Sequence, residues 1–378
     1  MGFLKLDFAY IHQTYIKPLD GLRGGAILLV IFFHNFDYLY VSGLGWVGVD
    51  LFFVLSGFLI TRILLRAKEH PRYFLNFYVK RTLRIFPLYY LFVLGCFFMV
   101  QWVDIERLNP VKDYLGYFVT YTPNFLFYRL DGFIPRFAMG HLWSLAVEEH
   151  FYLLWPFVVY ISKNQRLIYI SLLAILGSCL LGVGMLNHHS WMVMYTFTFS
   201  RLSTILLGSL LAIVLLKHRV FLQNLMAPLI FITGTCIAGF YAKLYFINQV
   251  PLDFFLFHPS TTIAHSHGIM LLVFGLFFTA LVGFTLSKNR LSALFSFKPL
   301  VWLGKYSYGI YVFHFPVYFL CRDYVGHFLG SPLSAGLTGR LLVSVICVLI
   351  TLTISVLSYH LFEMRFLRLK KKFETAQE

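Results

Sequence analysis

The sequence predicts an all-α polytopic integral membrane protein of about ten transmembrane helices, with both termini in the cytoplasm. Three observations predict it. The 378 residues are 59% hydrophobic and only 12% charged, whereas a soluble domain carries about 25% charge. The apolar stretches are long and continuous rather than alternating, as in spanning helices and not in a barrel. The basic residues are shared unevenly between the loops, and one topology explains the asymmetry.

Spans of about 20 residues fall at roughly 22–40, 45–65, 86–103, 142–161, 167–186, 196–216, 220–242, 268–287, 300–320 and 339–361. The first has no small-residue cleavage site and is expected to stay as an anchor. The fourth is the most polar, because Glu148, Glu149 and His150 fall inside it. The loop 104–141 is too polar and too interrupted by proline to span. With the N-terminus in the cytoplasm, 23 of the 31 Lys and Arg residues fall on the cytoplasmic side, as the positive-inside rule requires. The formal net charge of +15 then belongs to cytoplasmic loops and anionic lipid headgroups. Nothing RGG-like or zinc-finger-like points to nucleic acid. The five cysteines form no CxxC and are expected to be core hydrophobes, without a metal or a disulfide. One domain is expected over 1–369, followed by a short polar tail, 370–378. No inverted repeat of the kind found in transporters is visible.

His34 lies in the apolar run Gly24 to Phe36, and Arg23 sits eleven residues before it. Eleven residues make about three helical turns, so the two side chains share one face roughly 16 Å apart. Ionisable groups inside a membrane are costly and mark function by default, although a buried His bonded to a neighbouring helix is the plainer alternative. Arg81 and Arg84, three residues apart, are neighbours on one helix face. They and Arg23 read either as topology signals or as a phosphate site. Asp50 opens the second span in the same half of the membrane as His34. It is either a carboxylate that orients the imidazole or a helix-start residue facing headgroups. Asp20 is expected to be the N-cap of the first span. Two carboxylates inside an apolar run are expected to face a wet cavity. Glu148 and Glu149 point about 100° apart on a helix, so they are not expected to share one role, and Glu149 is expected to face the polar loop.

The segments LDGLRGGAILLVIFFHNF, GWVGVDLFFVLSGFLITR, KRTLRIFPLYY, HLWSLAVEEHFYLLWP and LGKYSYGIYVFHFP occur in this order along the chain. The series resembles the acyltransferase-3 family of membrane-bound O-acyltransferases over essentially the whole length. Arg23 and His34 match the family's Arg-x10-His motif, Arg81 and Arg84 its Arg-x-x-Arg element, and Glu148 its WSLxxE pattern. The resemblance implies transfer of an acetyl group from acetyl-CoA to a hydroxyl of an envelope glycan, such as a lipopolysaccharide O-antigen, in a bacterial inner membrane.

On that reading His34 is the general base, with Asp50 or Glu148 orienting it. Arg23, Arg81 and Arg84 hold the donor's phosphates, and the thioester threads toward His34. A transient acyl-histidine is the mechanistic variant. His141 and Trp143 precede Glu148 on the acceptor side, where Trp143 is either an interface anchor or a sugar platform. His314 also belongs to that half, with a structural hydrogen bond favoured over chemistry. Arg201 is left without an obvious ion pair, because many relatives carry an acid where this chain has Ser203. Glu363 is expected to pair with a cytoplasmic Arg or Lys. The chain has no GxSxG elbow, no HExxH and no esterase-like module, so the membrane unit is expected to complete the transfer itself. The competing classes are a transporter or flippase with a His/carboxylate relay, and a sensor that keeps the fold without the chemistry.

Overall fold

A computed structural model describes residues 15–135, 137–216, 218–246, 261–328 and 336–373. All regular structure among them is helical. The expected tail lies outside the described residues beyond Phe373. Its first residues, Lys370–Phe373, form a short 3-10 turn.

The long helices are α1 (Lys17–Asn35), α2 (Val47–Ala67), α3 (Tyr73–Trp102), α6 (Trp143–Ile161), α7 (Asn164–Met185), α9 (Thr198–Leu215), α10 (Arg219–Phe246), α11 (Thr261–Thr285), α13 (Lys298–Phe328) and α14 (Leu337–Ser358). Short helices α4 (Pro110–Val119), α5 (Pro123–Leu130), α8 (Trp191–Thr196) and α12 (Arg290–Phe295) fill the connections. Among the described residues, the loop expected not to span thus holds α4, α5 and the start of a 3-10 turn (Gly140–Leu142), each far too short to cross a bilayer.

Seven segments among the described residues are long and apolar enough to cross a membrane: Ser42–Ala67, Tyr73–Trp102, Asn164–Met185, Thr198–Leu215, Asn224–Leu244, Gly268–Thr285 and Leu337–Leu369. The other three expected spans coincide with α1, α6 and α13. These have 19, 19 and 31 residues, so length is not what sets them apart. They carry the polar residues: Asp20 and Arg23, Glu148 and Glu149, Lys298 and Lys305. These three helices, together with α2 and α3, build the site.

Close helix contacts fix their geometry. Helix α1 packs against α13 and α2, α2 against α9, and α13 against α14. A Cβ on Gly24 would run into the carbonyl oxygen of Leu300, and one on Gly304 into that of Asp20. Helices α1 and α13 therefore touch backbone to backbone, which small residues permit inside membranes. Around this core the outer helices present leucines outward, with Leu173 and Leu180 exposed on α7. That is the surface lipid would cover.

Candidate active site

Helix α1 opens with Pro18 in its first turn, where a missing N–H costs nothing. Asp20 is not the N-cap. The helix begins earlier, and the Asp20 carboxylate accepts a hydrogen bond from Arg23 at 3.0 Å. Three turns on, His34 closes the helix. Arg23 and His34 line two different cavities.

The first, an arginine cavity with about 830 Å³ of empty space, is lined by Arg23, Arg81, Arg84, Ser56, Glu148, Glu149 and Tyr152, among others. Tyr152 organises it. Its hydroxyl donates to Glu148 at 2.8 Å and accepts from Ser56. Its ring lies under the Arg81 guanidinium at 5.3 Å. Arg84 makes no hydrogen bond or ion pair among the described residues. Arg23 is paired with Asp20, while Arg81 meets only the Tyr152 ring and Arg84 is uncommitted among the described residues, which leaves two guanidiniums for an anion with several phosphate oxygens. Glu149 also lines this cavity, with one carboxyl oxygen buried and without a partner. Glu149 was expected to face the polar loop; instead it lines the same cavity as Glu148.

The second, a histidine cavity with about 1410 Å³ of empty space, is lined by His34, His141, Trp143, Tyr195 and Phe315 among others, with Asp37 and Tyr318 also on its wall. Tyr318 donates to Asp37 at 3.1 Å, and Arg322 lies 3.7 Å from the same carboxylate. The His34 ring sits 4.5 Å from Phe315 and 5.2 Å from His314. His141 lies 5.1 Å from His314, edge to face. Val49 and Tyr311 line both cavities, which therefore lie back to back. The Tyr311 hydroxyl donates to the His141 carbonyl at 2.9 Å and accepts from Ser144 at 2.5 Å.

One proline shapes this wall. Pro316 inside α13 has no N–H, so the Val312 carbonyl four residues earlier loses its helical donor. His141 supplies one through Nε2–H at 3.2 Å. His141 is thus held by α13, with its other nitrogen buried and unpartnered.

Other expected residues fall elsewhere. Asp50 is fully buried and paired with Arg201, itself fully buried, and accepts from Thr204 at 3.5 Å. It does not hydrogen-bond His34. Its carboxylate is drawn to α9 because an unpaired guanidinium there would be costly. The same contact gives Arg201 the ion partner that sequence left open. Glu148 is likewise committed to the arginine cavity and makes no contact with His34. Trp143 is buried, stacked edge-on against Tyr195 at 5.0 Å and Phe53 at 6.0 Å, and so is not an interface anchor. Glu363 accepts from Ser358 at 3.2 Å and has no ion pair among the described residues. It sits in a π-turn, Tyr359–Glu363, that buries it. Sequence reasoning missed Tyr152 and Tyr311. Both lie one turn from a singled-out residue, Tyr152 four after Glu148 and Tyr311 three before His314, so the helical repeat already put them on the same faces.

Residues 16–360 match the acyltransferase domain model. The chain is 33% identical over 335 residues to the peptidoglycan O-acetyltransferase OatA of Listeria monocytogenes, covering 81% of this chain and 50% of that protein. It is 32% identical over 379 residues to YrhL of Bacillus subtilis (strain 168), a protein named provisionally for the same activity, covering 93% of this chain and 55% of that one. The chain thus spans about half the length of the curated relatives it matches. No solved structure matches it. With the domain model covering nearly all of the chain and both relatives more than 30% identical over most of it, the chain belongs to the acyltransferase-3 family.

Proposed function

We propose that this protein is a membrane O-acetyltransferase that moves an acetyl group from acetyl-CoA to a hydroxyl of an envelope glycan. The observation that carries the reading is the pair of cavities meeting at Val49 and Tyr311, arginines on one side and His34 on the other. The uncommitted guanidinium of Arg84, beside Arg81 and Arg23, suits the phosphates of the donor. The thioester end then points toward the shared wall. Ten spans with both termini cytoplasmic would put the arginine cavity on the side where acetyl-CoA is made, and the histidine cavity on the side of the glycan.

The chemistry at His34 follows. The acceptor hydroxyl attacks the thioester carbon while His34 takes its proton. The tetrahedral intermediate collapses, the carbon–sulfur bond breaks, and the imidazolium returns the proton to the departing thiolate. The products are the acetyl ester and free CoA. The names of the relatives make peptidoglycan the first acceptor to test, with O-antigen sugars next. Reconstituted protein supplied with [14C]acetyl-CoA and a glycan should yield labelled ester. Consumption of no acetyl-CoA under any acceptor, with active transport of a glycan across the vesicle, would favour the flippase class instead.

A further inference from the structure

We propose that His314 is the positioning residue for His34, in the place a carboxylate would take in a Ser-His-Asp-type arrangement. The inference rests on the acetyl-transfer reading above. A histidine that acts as a base needs a partner for its N–H, to fix its tautomer and to steady the imidazolium. The candidate carboxylates are engaged elsewhere: Asp50 is held by Arg201, Glu148 by Tyr152 in the other cavity, and Asp37, on the wall of the His34 cavity, by Tyr318 and Arg322. His34 itself makes no hydrogen bond among the described residues.

His314 is built for the role. Its side chain is fully buried. Its Nδ1 lies 2.7 Å from the Tyr311 carbonyl, and a carbonyl only accepts, so Nδ1 carries the proton. Nε2 is then a bare lone pair, and it is buried without a partner. Such an acceptor is costly to leave unmet. His141 is locked in the complementary way, Nε2–H on the Val312 carbonyl, and also has no N–H to give. His34 is the ring beside His314 with an N–H to donate, at 5.2 Å between centroids and 45° between planes. The proposed bond needs the His34 ring, which no hydrogen bond holds among the described residues, to turn one N–H toward His314 Nε2.

With that bond made, the second His34 nitrogen faces the histidine cavity as a lone pair. It takes the acceptor's proton, and the resulting imidazolium keeps a charge-assisted bond to His314 until it protonates the leaving thiolate. His314 touches neither substrate, so its loss should lower kcat and leave the KM for acetyl-CoA alone.

The test compares two substitutions in the reconstituted full-length chain, with acetyl-CoA and a peptidoglycan fragment. His314→Asn keeps a donor for the Tyr311 carbonyl but removes the acceptor. His314→Gln can return an acceptor near the Nε2 position. The expected result is a fall in kcat of roughly 10–100-fold for His314→Asn, as for lost orienting partners of other histidines. Its KM and thermal stability stay near wild type, and His314→Gln recovers part of kcat. A folded His314→Asn protein with kcat within twofold of wild type overturns the proposal, as does a loss confined to KM. Should neither variant fold, 15N NMR of the histidine-labelled wild type decides. A scalar coupling across an N–H···N bond between His34 and His314 supports the proposal, and its absence overturns it. Wild-type protein that transfers no acetyl group would instead refute the acetyltransferase reading, a separate outcome.

Discussion

The Asp50–Arg201 pair separates a structural account from a catalytic one. Both side chains are wholly buried. Asp50 Oδ2 and Arg201 Nε and Nη1 have no hydrogen-bond partner among the described residues. The Arg201 guanidinium also lies over two aromatic rings, Tyr195 at 4.8 Å and Phe53 at 5.5 Å. Asp50→Ala therefore strands a guanidinium inside α9. The cost of breaking such a pair from one side is about 3–5 kcal/mol, and the cation–π contacts offset only a fraction of it. Replacing both residues, Asp50→Ala with Arg201→Met, removes the stranded charge and should cost less than either single change. Thermal unfolding of the purified protein, read alongside acetyl-CoA binding, measures this as a double-mutant cycle. The expected coupling is at least about 2 kcal/mol, the double variant being the more stable. Single variants as stable as wild type that nevertheless lose acetyl transfer would refute the reasoning and return Asp50 to the chemistry.

Removing the arginines should act on the donor. Arg81→Ala and Arg84→Ala should each weaken acetyl-CoA binding by about 1.5–3 kcal/mol, measured by calorimetry, with thermal stability little changed. Gly24→Val should fail to assemble, because its side chain would have to occupy the Leu300 carbonyl; a wild-type melting profile would show that α1 and α13 are not so closely packed. A cysteine placed at Lys68 should resist membrane-impermeant thiol reagents applied from outside intact cells. Efficient external labelling there would invert the topology.

The sequence made the helices legible because long apolar runs admit few other structures: among the described residues ten long helices lie at the expected runs, seven of them long and apolar enough to cross a membrane. It also found the arginine group, since Arg81 and Arg84 share a face by spacing alone. It did not find the partners of Asp50 and His141. Asp50 meets Arg201 across 151 positions, and no local repeat carries that information. His141 is held by a carbonyl that only Pro316 releases. That signal is present in the sequence, but it names a vacancy and not the residue that fills it. Glu149 was misplaced because spacing gives a direction on the helix and not the width of the cavity it faces.

The central claim is that His34 takes the acceptor's proton while the arginine cavity, about three turns away along α1, holds the donor. The most direct test is His34→Ala, with acetyl-CoA binding and glycan acetylation measured on the same preparation. The account predicts near-normal binding and a loss of transfer of at least roughly 10²-fold, the usual effect of removing a general base. Near-normal transfer, or loss of binding and transfer together in a folded protein, would contradict it.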